Sequence, residues 1–168
     1  MVQVQMRVAV SGSSGFIGSA LAARLVTSGH HVVRLVRSAG AMGPDAARWD
    51  PAGGVADASR LEGLDAVVHL AGENIASGRW TADKKRRIRD SRVEGTRRLC
   101  EAVARLRVPP KALVGASAIG YYGDRGEDVL TEDSAAGEGF LAKVCREWEA
   151  AAAPAVVVEA AEPEILKR

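Results

Sequence analysis

Three glycines near the start of the chain, Gly12, Gly15 and Gly18, have the spacing GxxGxxG. They lie between a short β-branched run at 8–10 and an apolar pattern of helical period that starts at residue 16. Glycines between a strand and a helix permit a tight turn and let a phosphate approach the backbone N–H groups and the positive end of the helix dipole. The spacing is a variant of the dinucleotide fingerprint and predicts a pyrophosphate site. The alternative is a glycine-rich turn that binds nothing.

The end of the second predicted strand bears on which dinucleotide would bind. The fingerprint for NAD has an acidic residue about 20 residues beyond the glycines, where it holds the ribose 2′-hydroxyl. Val36 lies at that position and is followed by Arg37 and Ser38. A guanidinium there can pair with a 2′-phosphate, so we expect NADP(H) in preference to NAD(H). The alternative is that Arg37 is a solvated charge at a strand end.

The elements that would position these residues alternate between strand and helix. Strands are predicted at 8–10, 32–36, 65–72 and 111–118, with a final candidate at 155–158. Helices are predicted from residue 16 to Gly29, from the N-cap Thr81 to Pro109, and at 140–153. The stretch 39–63 is predicted to be mostly loop, with a short strand at 48–49.

This alternation predicts an α/β fold, a Rossmann-like doubly wound parallel sheet in a three-layer αβα arrangement. We expect one such domain over residues 1–158 and a tail at 159–168 whose structure is unclear from the sequence.

The composition is that of a globular protein with no broad electrostatic field. The 168 residues are 47% hydrophobic and 26% charged, with a net charge of +2. The basic run 84–89 is interspersed with acidic residues and has no interleaved aromatic residues, so nucleic acid is not an expected partner. No apolar run approaches the roughly 20 residues that span a bilayer, so no membrane partner is expected. Cys100 and Cys145 lie far apart without metal-ligand spacing, which favours a cytoplasmic protein that binds no metal.

Six longer segments carry a more specific signal than the glycines. They are SGSSGFIGSAL at 11–21, HLAGENI at 69–75, RWTADKK at 79–85, SRVEGT at 91–96, SAIGYYGDRGE at 117–127 and FLAKVCREWE at 140–149. Through them the chain resembles the extended and atypical short-chain dehydrogenase/reductases, in particular the sugar-nucleotide-epimerase-like group of the NAD-dependent epimerase/dehydratase family. The resemblance implies a dinucleotide cofactor, a small-molecule substrate such as a sugar nucleotide, and an epimerase or oxidoreductase activity.

The resemblance, together with the glycine spacing, also implies a set of cofactor contacts. These are Gly12, Ser13, Ser14, Gly15, Phe16, Ile17, Gly18, Arg37, Ser38, Leu70, Ala71, Gly72 and Ser117. Glu73, Arg79 and Lys85 resemble family residues that lie near the pocket.

The chain departs from the family pattern at the residues that move protons. Typical members use a Ser before the tyrosine-rich loop and a YxxxK pair on the next helix, where the Lys lowers the pKa of the Tyr. Alignment puts Ala118 at the Ser position, Phe140 at the Tyr and Val144 at the Lys. Lys143 is one position early, roughly 100° around the helix. The usual acid/base mechanism cannot run on these side chains.

Three residues remain as catalytic candidates: Ser117, which is adjacent to the usual Ser position, and Tyr121 and Tyr122 as substitute acids. Packing is the alternative role for both tyrosines. The chain is therefore either an enzyme of this family with altered machinery, a non-catalytic nucleotide-binding regulatory module, or an inactive fragment.

The last expectation concerns the carboxyl-terminal side of the sheet. Members of the family continue through a further strand and a smaller substrate-binding domain, whereas this sequence stops at Arg168. A sheet without those elements would expose an edge and an apolar face, which favours either association, as in a homo-oligomer, or poor stability.

Overall fold

The computed structural model describes residues 4–38 and 43–157 and contains a six-stranded sheet. The strands are β1 (Arg7–Ser11), β2 (His31–Val36), β3 (Ala46–Asp50), β4 (Gly54–Val55), β5 (Ala66–His69) and β6 (Ala112–Gly115). Their order across the sheet is β4-β3-β2-β1-β5-β6, and all neighbours run parallel except β3 and β4. The connection order reverses at β1, as in a doubly wound sheet, so the predicted fold is confirmed.

The central strand β1 is hydrogen-bonded on both sides. Ser11, its last residue, lies opposite Leu35 of β2 and opposite His69 of β5. Because the three strands are parallel and in this register, their carboxyl ends reach the same edge of the sheet. That edge is where ligands of doubly wound sheets bind.

Helices cover both faces of the sheet. They are α1 (Phe16–Thr27), α2 (Ala82–Ala104) and α3 (Gly139–Ala150). Successive side chains of β1 face opposite helix layers, because side chains alternate along a strand. Val10 packs with Ala22 of α1 on one face, and Ala9 packs in a cluster with Leu99 of α2 on the other. The three-layer arrangement follows from this alternation.

The helix α2 begins where the sequence predicts. Thr81 is its N-cap, and the Thr81 Oγ1 accepts a hydrogen bond from the backbone N–H of Lys84 at 3.2 Å. The helix ends at Ala104, before the predicted stop at Pro109. The helix α3 packs on α2, and its Trp148 donates a hydrogen bond from Nε1 to Thr96 Oγ1 at 2.9 Å.

The stretch predicted as mostly loop is more regular than expected. It contains the five-residue strand β3, the short strand β4 that folds back on it, and a 3-10 turn at Ala58–Leu61. The sequence favours a loop because the small residues of this stretch show no regular hydrophobic period. In the structure, β3 pairs with β2, and Ala47 and Trp49 are buried. Residues 39–42 of this stretch lie outside the described part of the chain.

The final predicted strand is wrong over its described residues. Ala153–Val157 form a 3-10 turn in which the N–H of Ala155 bonds to the carbonyl of Ala152 at 3.0 Å. Pro154 presets a backbone angle that suits such a turn, and the segment continues from α3 to pack against α2 instead of joining the sheet. Val158 and the predicted tail 159–168 lie outside the described residues.

The strand β6 is an edge of the described sheet. Val114 is 55% exposed, whereas Val67 of the neighbouring β5 is fully buried. Among the described residues, β6 therefore has one side without a hydrogen-bonded neighbouring strand.

Two kinds of feature are missing from residues 4–38 and 43–157. None of the helices there has the length and hydropathy needed to cross a bilayer. No group of three His, Cys, Asp or Glu side chains in this part of the chain is placed to hold a metal ion.

Candidate dinucleotide site

A cavity of about 600 Å³ lies over the carboxyl ends of β1, β2 and β5. Of the predicted cofactor contacts, it is lined by Gly12, Ser13, Ser14, Gly15, Arg37, Ser38, Leu70, Ala71 and Gly72. Its other lining residues are Leu35, Val36, Trp49, Pro51, Glu73, Asn74 and Ser91. The volume is within the usual range for a cofactor pocket.

The glycine turn depends on two close approaches of backbone. Gly12 has a φ of 68°, and a Cβ there would lie 2.9 Å from the carbonyl carbon of Leu70. A Cβ on Gly18 would lie 2.1 Å from the carbonyl oxygen of Gly12, so α1 packs directly on the turn. Gly15 closes the turn by donating its N–H to the same oxygen at 2.9 Å. Gly18 does not line the cavity and acts through this packing.

The amino-terminal end of α1 is chemically suited to an anion. Its N-cap, Gly15, supplies no side-chain acceptor, and its first turn contains no acidic residue. The first N–H groups of a helix have no intrahelical partner and carry the positive end of the dipole. The side chains of Phe16 and Ile17 are 96% and 67% exposed and do not line the cavity. Only their backbone N–H groups can therefore serve the predicted contacts.

Arg37 provides a cation at the β2 side of the cavity. The residue is exposed and lies next to Ser38, just after the end of β2. No carboxylate of the described residues lies within ion-pair distance of its guanidinium. An exposed guanidinium can pair with a phosphate group through two parallel hydrogen bonds.

A buried pair holds the loop after β5 against β1. The Ser11 Oγ lies 2.6 Å from His69 Nδ1, and both side chains are fully buried. The same oxygen accepts the N–H groups of Leu70 at 3.1 Å and Ala71 at 3.3 Å. These bonds fix the backbone that faces the glycine turn.

Glu73 continues the cavity wall beyond Gly72 as a paired carboxylate. Its Oε1 accepts hydrogen bonds from Lys84 Nζ at 2.8 Å and from Arg87 Nε at 3.4 Å. The bond from Lys84, assisted by Arg87, holds the pKa of Glu73 below its usual value. Lys84 is buried and also donates to Ser77 Oγ at 2.9 Å. Sequence comparison with the family indicates Glu73 as a pocket residue but not its partner Lys84.

The three catalytic candidates are not among the residues that line this cavity. Ser117 donates a hydrogen bond to Glu149 at 2.5 Å and lines a separate cavity of about 310 Å³ between β6 and α3. Tyr121 and Tyr122 lie on a 3-10 turn, with their ring centroids 5.3 Å apart. None of the three lines the 600 Å³ cavity, so the structure does not place Ser117 with the other predicted cofactor contacts.

The positions aligned with the usual Tyr and Lys are used for packing. The Phe140 ring meets Trp80 edge-on with centroids 5.9 Å apart, and Lys85 Nζ lies 5.5 Å from the Phe140 centroid. Val144 is buried. Lys143 is exposed, and its Nζ lies 3.9 Å from Glu147 Oε1. The described residues at these positions contain no proton donor facing the cavity.

Trp49 and Pro51 are the cavity residues that sequence reasoning missed most clearly. Trp49 belongs to β3 and Pro51 comes directly after it, and the carboxyl end of β3 lies beside that of β2. A firm prediction of β3 would have identified this edge as part of the site. The only signal was the short strand predicted at 48–49.

Residues 8–155 match the NAD dependent epimerase/dehydratase family. An epimerase family protein of Mycobacterium leprae is 45% identical over 148 residues, which are 88% of this chain and 47% of the relative. The chain therefore spans about half the length of this relative.

Two solved structures have a fold similar to that of this chain. A nucleoside-diphosphate sugar epimerase of Corynebacterium glutamicum has a TM-score of 0.78 and 43% identity, and the match covers 92% of this chain and 32% of that one. Human epimerase family protein SDR39U1 with NADPH has a TM-score of 0.74 and 37% identity, and the match covers 88% of this chain and 48% of that one.

Proposed function

Because the chain belongs to the NAD dependent epimerase/dehydratase family, we propose that it binds NADP(H) in the cavity over β1, β2 and β5. One cavity contains the glycine turn, the start of α1 without a side-chain cap, and the cation of Arg37, which has no carboxylate partner among the described residues; this observation carries the proposal. The NADPH in the structure of the human relative supports it. The activity would be that of an epimerase or oxidoreductase on a small molecule, with nucleoside-diphosphate sugars as the first class to test because a Corynebacterium relative is an epimerase of such sugars.

Each part of the cavity has a separate role in this proposal. The N–H groups at the start of α1 bind the pyrophosphate, and Arg37 with Ser38 binds the 2′-phosphate. The small residues 71 and 72 leave room at the end of β5 for the nicotinamide half. When bound, the cofactor supplies hydride transfer, and the protein supplies its orientation.

Replacement of Arg37 by Ala tests the proposal. We expect the Kd for NADPH to rise about tenfold or more, because a charge-assisted pair with the 2′-phosphate is lost, while NADH binding is unchanged. Fluorescence titration of each dinucleotide measures both values. Arg34→Ala is the matched control, since Arg34 is an exposed arginine of β2 that does not line the cavity.

Two results would contradict the proposal. Absence of saturable NADPH binding to the unaltered protein would remove the cofactor site altogether. Equal weakening of NADPH and NADH binding by Arg37→Ala would show that Arg37 does not contact the 2′-phosphate.

A second candidate function is a nucleotide-binding module without catalysis. It is favoured by the positions of Ser117, Tyr121 and Tyr122, none of which lines the cavity. Phe140 and Val144 add to it, because neither side chain can move a proton.

Turnover separates the two candidates. An enzyme that uses either tyrosine as its acid would convert an added nucleoside-diphosphate sugar, so product is measured together with NADPH absorbance. An oxidoreductase changes both, whereas an epimerase returns the hydride and changes the sugar alone; Tyr121→Phe or Tyr122→Phe would lower the rate of product formation about 100-fold or more. A binding module would show saturable NADPH binding with no product. A substrate-dependent rate that survives both substitutions would exclude the tyrosines while retaining the enzyme.

A further inference from the structure

Glu73 lies on the opposite side of the glycine turn from Arg37. Arg37 follows β2, the turn follows β1, and Glu73 follows β5 by way of Gly72. The sheet order β2-β1-β5 therefore places the two side chains at opposite ends of one cavity. If the proposed function holds and Arg37 takes the 2′-phosphate, Glu73 lies on the side of the nicotinamide ribose.

The carboxylate of Glu73 is held in one orientation by cations. Lys84 Nζ and Arg87 Nε both bond to Oε1, and the Lys84 side chain is only 5% exposed. Oε2 accepts no hydrogen bond from any described residue of the protein. One oxygen is thus used for structure and the other is open to a ligand.

The backbone of Glu73 is anchored as firmly as its side chain. The Glu73 N–H donates to Ser91 Oγ at 2.9 Å, and its carbonyl accepts from Arg92 at 3.0 Å. Both partners belong to α2, so the residue is tied to a long helix and not to a free loop. Such anchoring is what a preorganised ligand contact requires.

We propose that Oε2 of Glu73 accepts a hydrogen bond from a ribose hydroxyl on the nicotinamide side of the bound dinucleotide. An ionised carboxylate has only acceptor sites, and a diol offers the O–H donors that match them. The neighbouring cations Lys84 and Arg87 offset the repulsion between this carboxylate and the pyrophosphate.

Glu73→Gln in the otherwise unaltered protein tests this contact, because Lys84 holds the amide oxygen and the amide NH₂ then takes the place of Oε2. The unaltered protein and Glu73→Gln are compared by titration with NADPH and with adenosine 2′,5′-bisphosphate, which lacks the nicotinamide ribose; Lys84→Met and Lys84→Met/Glu73→Gln repeat the comparison without the buried ammonium. We expect Glu73→Gln to weaken NADPH binding about tenfold and to leave bisphosphate binding unchanged. A third titration, of UDP-glucose into NADPH-saturated protein, tests a substrate hydroxyl as the alternative donor.

The outcomes separate this contact from the cofactor site itself. Unchanged NADPH affinity on adding Glu73→Gln overturns the contact while the proposed function stands. Equal weakening of both nucleotides overturns it too, because the effect is then general to the cavity. A loss confined to UDP-glucose assigns Glu73 to the substrate instead, and failure of the unaltered protein to bind NADPH overturns both proposals.

Discussion

At the scale of single residues, the Ser11 hydroxyl determines which nitrogen of His69 carries the proton. Its oxygen accepts the N–H groups of Leu70 and Ala71, so its one hydrogen points to His69 Nδ1. The proton of the neutral imidazole is therefore on Nε2, which has no hydrogen-bond partner among the described residues. The His69 ring packs edge-on against Trp49 with centroids 5.2 Å apart. Burial lowers the pKa of His69 to about 4.

This buried histidine makes stability depend on pH. Between its usual pKa of 6.5 and about 4, the unfolded chain binds a proton at His69 that the folded protein does not bind. We therefore expect the free energy of unfolding to fall as the pH falls through this window, by up to about 1.4 kcal/mol per pH unit. Urea unfolding across the window measures the slope.

His69→Asn provides the comparison, because Asn keeps an acceptor for Ser11 without a titrating ring. The variant is expected to be less stable at neutral pH but to have a flatter profile between pH 6.5 and about 4. Glu73 and Glu62 have pKa values below the usual 4.5, so they change the free energy of unfolding only at the acid end of this pH range. A variant with the slope of the unaltered protein would assign the pH dependence to other groups.

At the scale of elements, the contact between α1 and the glycine turn determines how closely a ligand can approach. The helix starts directly after the turn and packs on it through Gly18, which has no side chain to separate them. The free N–H groups of the first helical turn are thereby brought to the cavity edge. Gly18 is thus a packing residue of the site, although the sequence motif suggests a direct contact.

Replacement of Gly18 by Ala should disrupt this contact. The added Cβ would lie 2.1 Å from a backbone oxygen, so the helix or the turn must move. We expect a loss of roughly 1–3 kcal/mol in the free energy of unfolding, together with weaker NADPH binding. Thermal or urea unfolding and an NADPH titration measure the two effects.

Gly115→Ala is the matched control, since a Cβ on this strand residue would meet no atom within 4 Å. It should change the free energy of unfolding by no more than about 0.5 kcal/mol. Equal effects of the two substitutions would mean that the close approach at Gly18 has no special role.

At the scale of the whole molecule, the sheet order assembles the cavity from segments far apart in sequence. The glycine turn, residues 37–38 and residues 70–74 meet because β1 lies between β2 and β5. The same order leaves β6 at the edge, with Val114 exposed. The Mycobacterium leprae and human relatives are about twice as long as this chain, so their activities concern more residues than the described domain contains.

Most of the fold was accessible from the sequence. The strands β1, β2 and β5 are continuous apolar runs, and α1 and α2 have clear start signals at Gly15 and Thr81. The strand β3 was predicted only at residues 48–49, and the turn at Ala153–Val157 was predicted as a strand, because pairing and packing with distant residues decide their conformation. Local propensity carries no information about such partners.

The sequence by itself determined the residue types of the site: glycines where backbone must approach backbone, and Arg37 where an acid would favour NAD. Only the tertiary structure decided which of these residues share a cavity. It placed Ser117 in a different cavity, where it bonds to Glu149, and it paired Glu73 with the buried Lys84. The physical reason is that spacing along a chain encodes local geometry, whereas contacts between strand ends depend on the order in which strands pair.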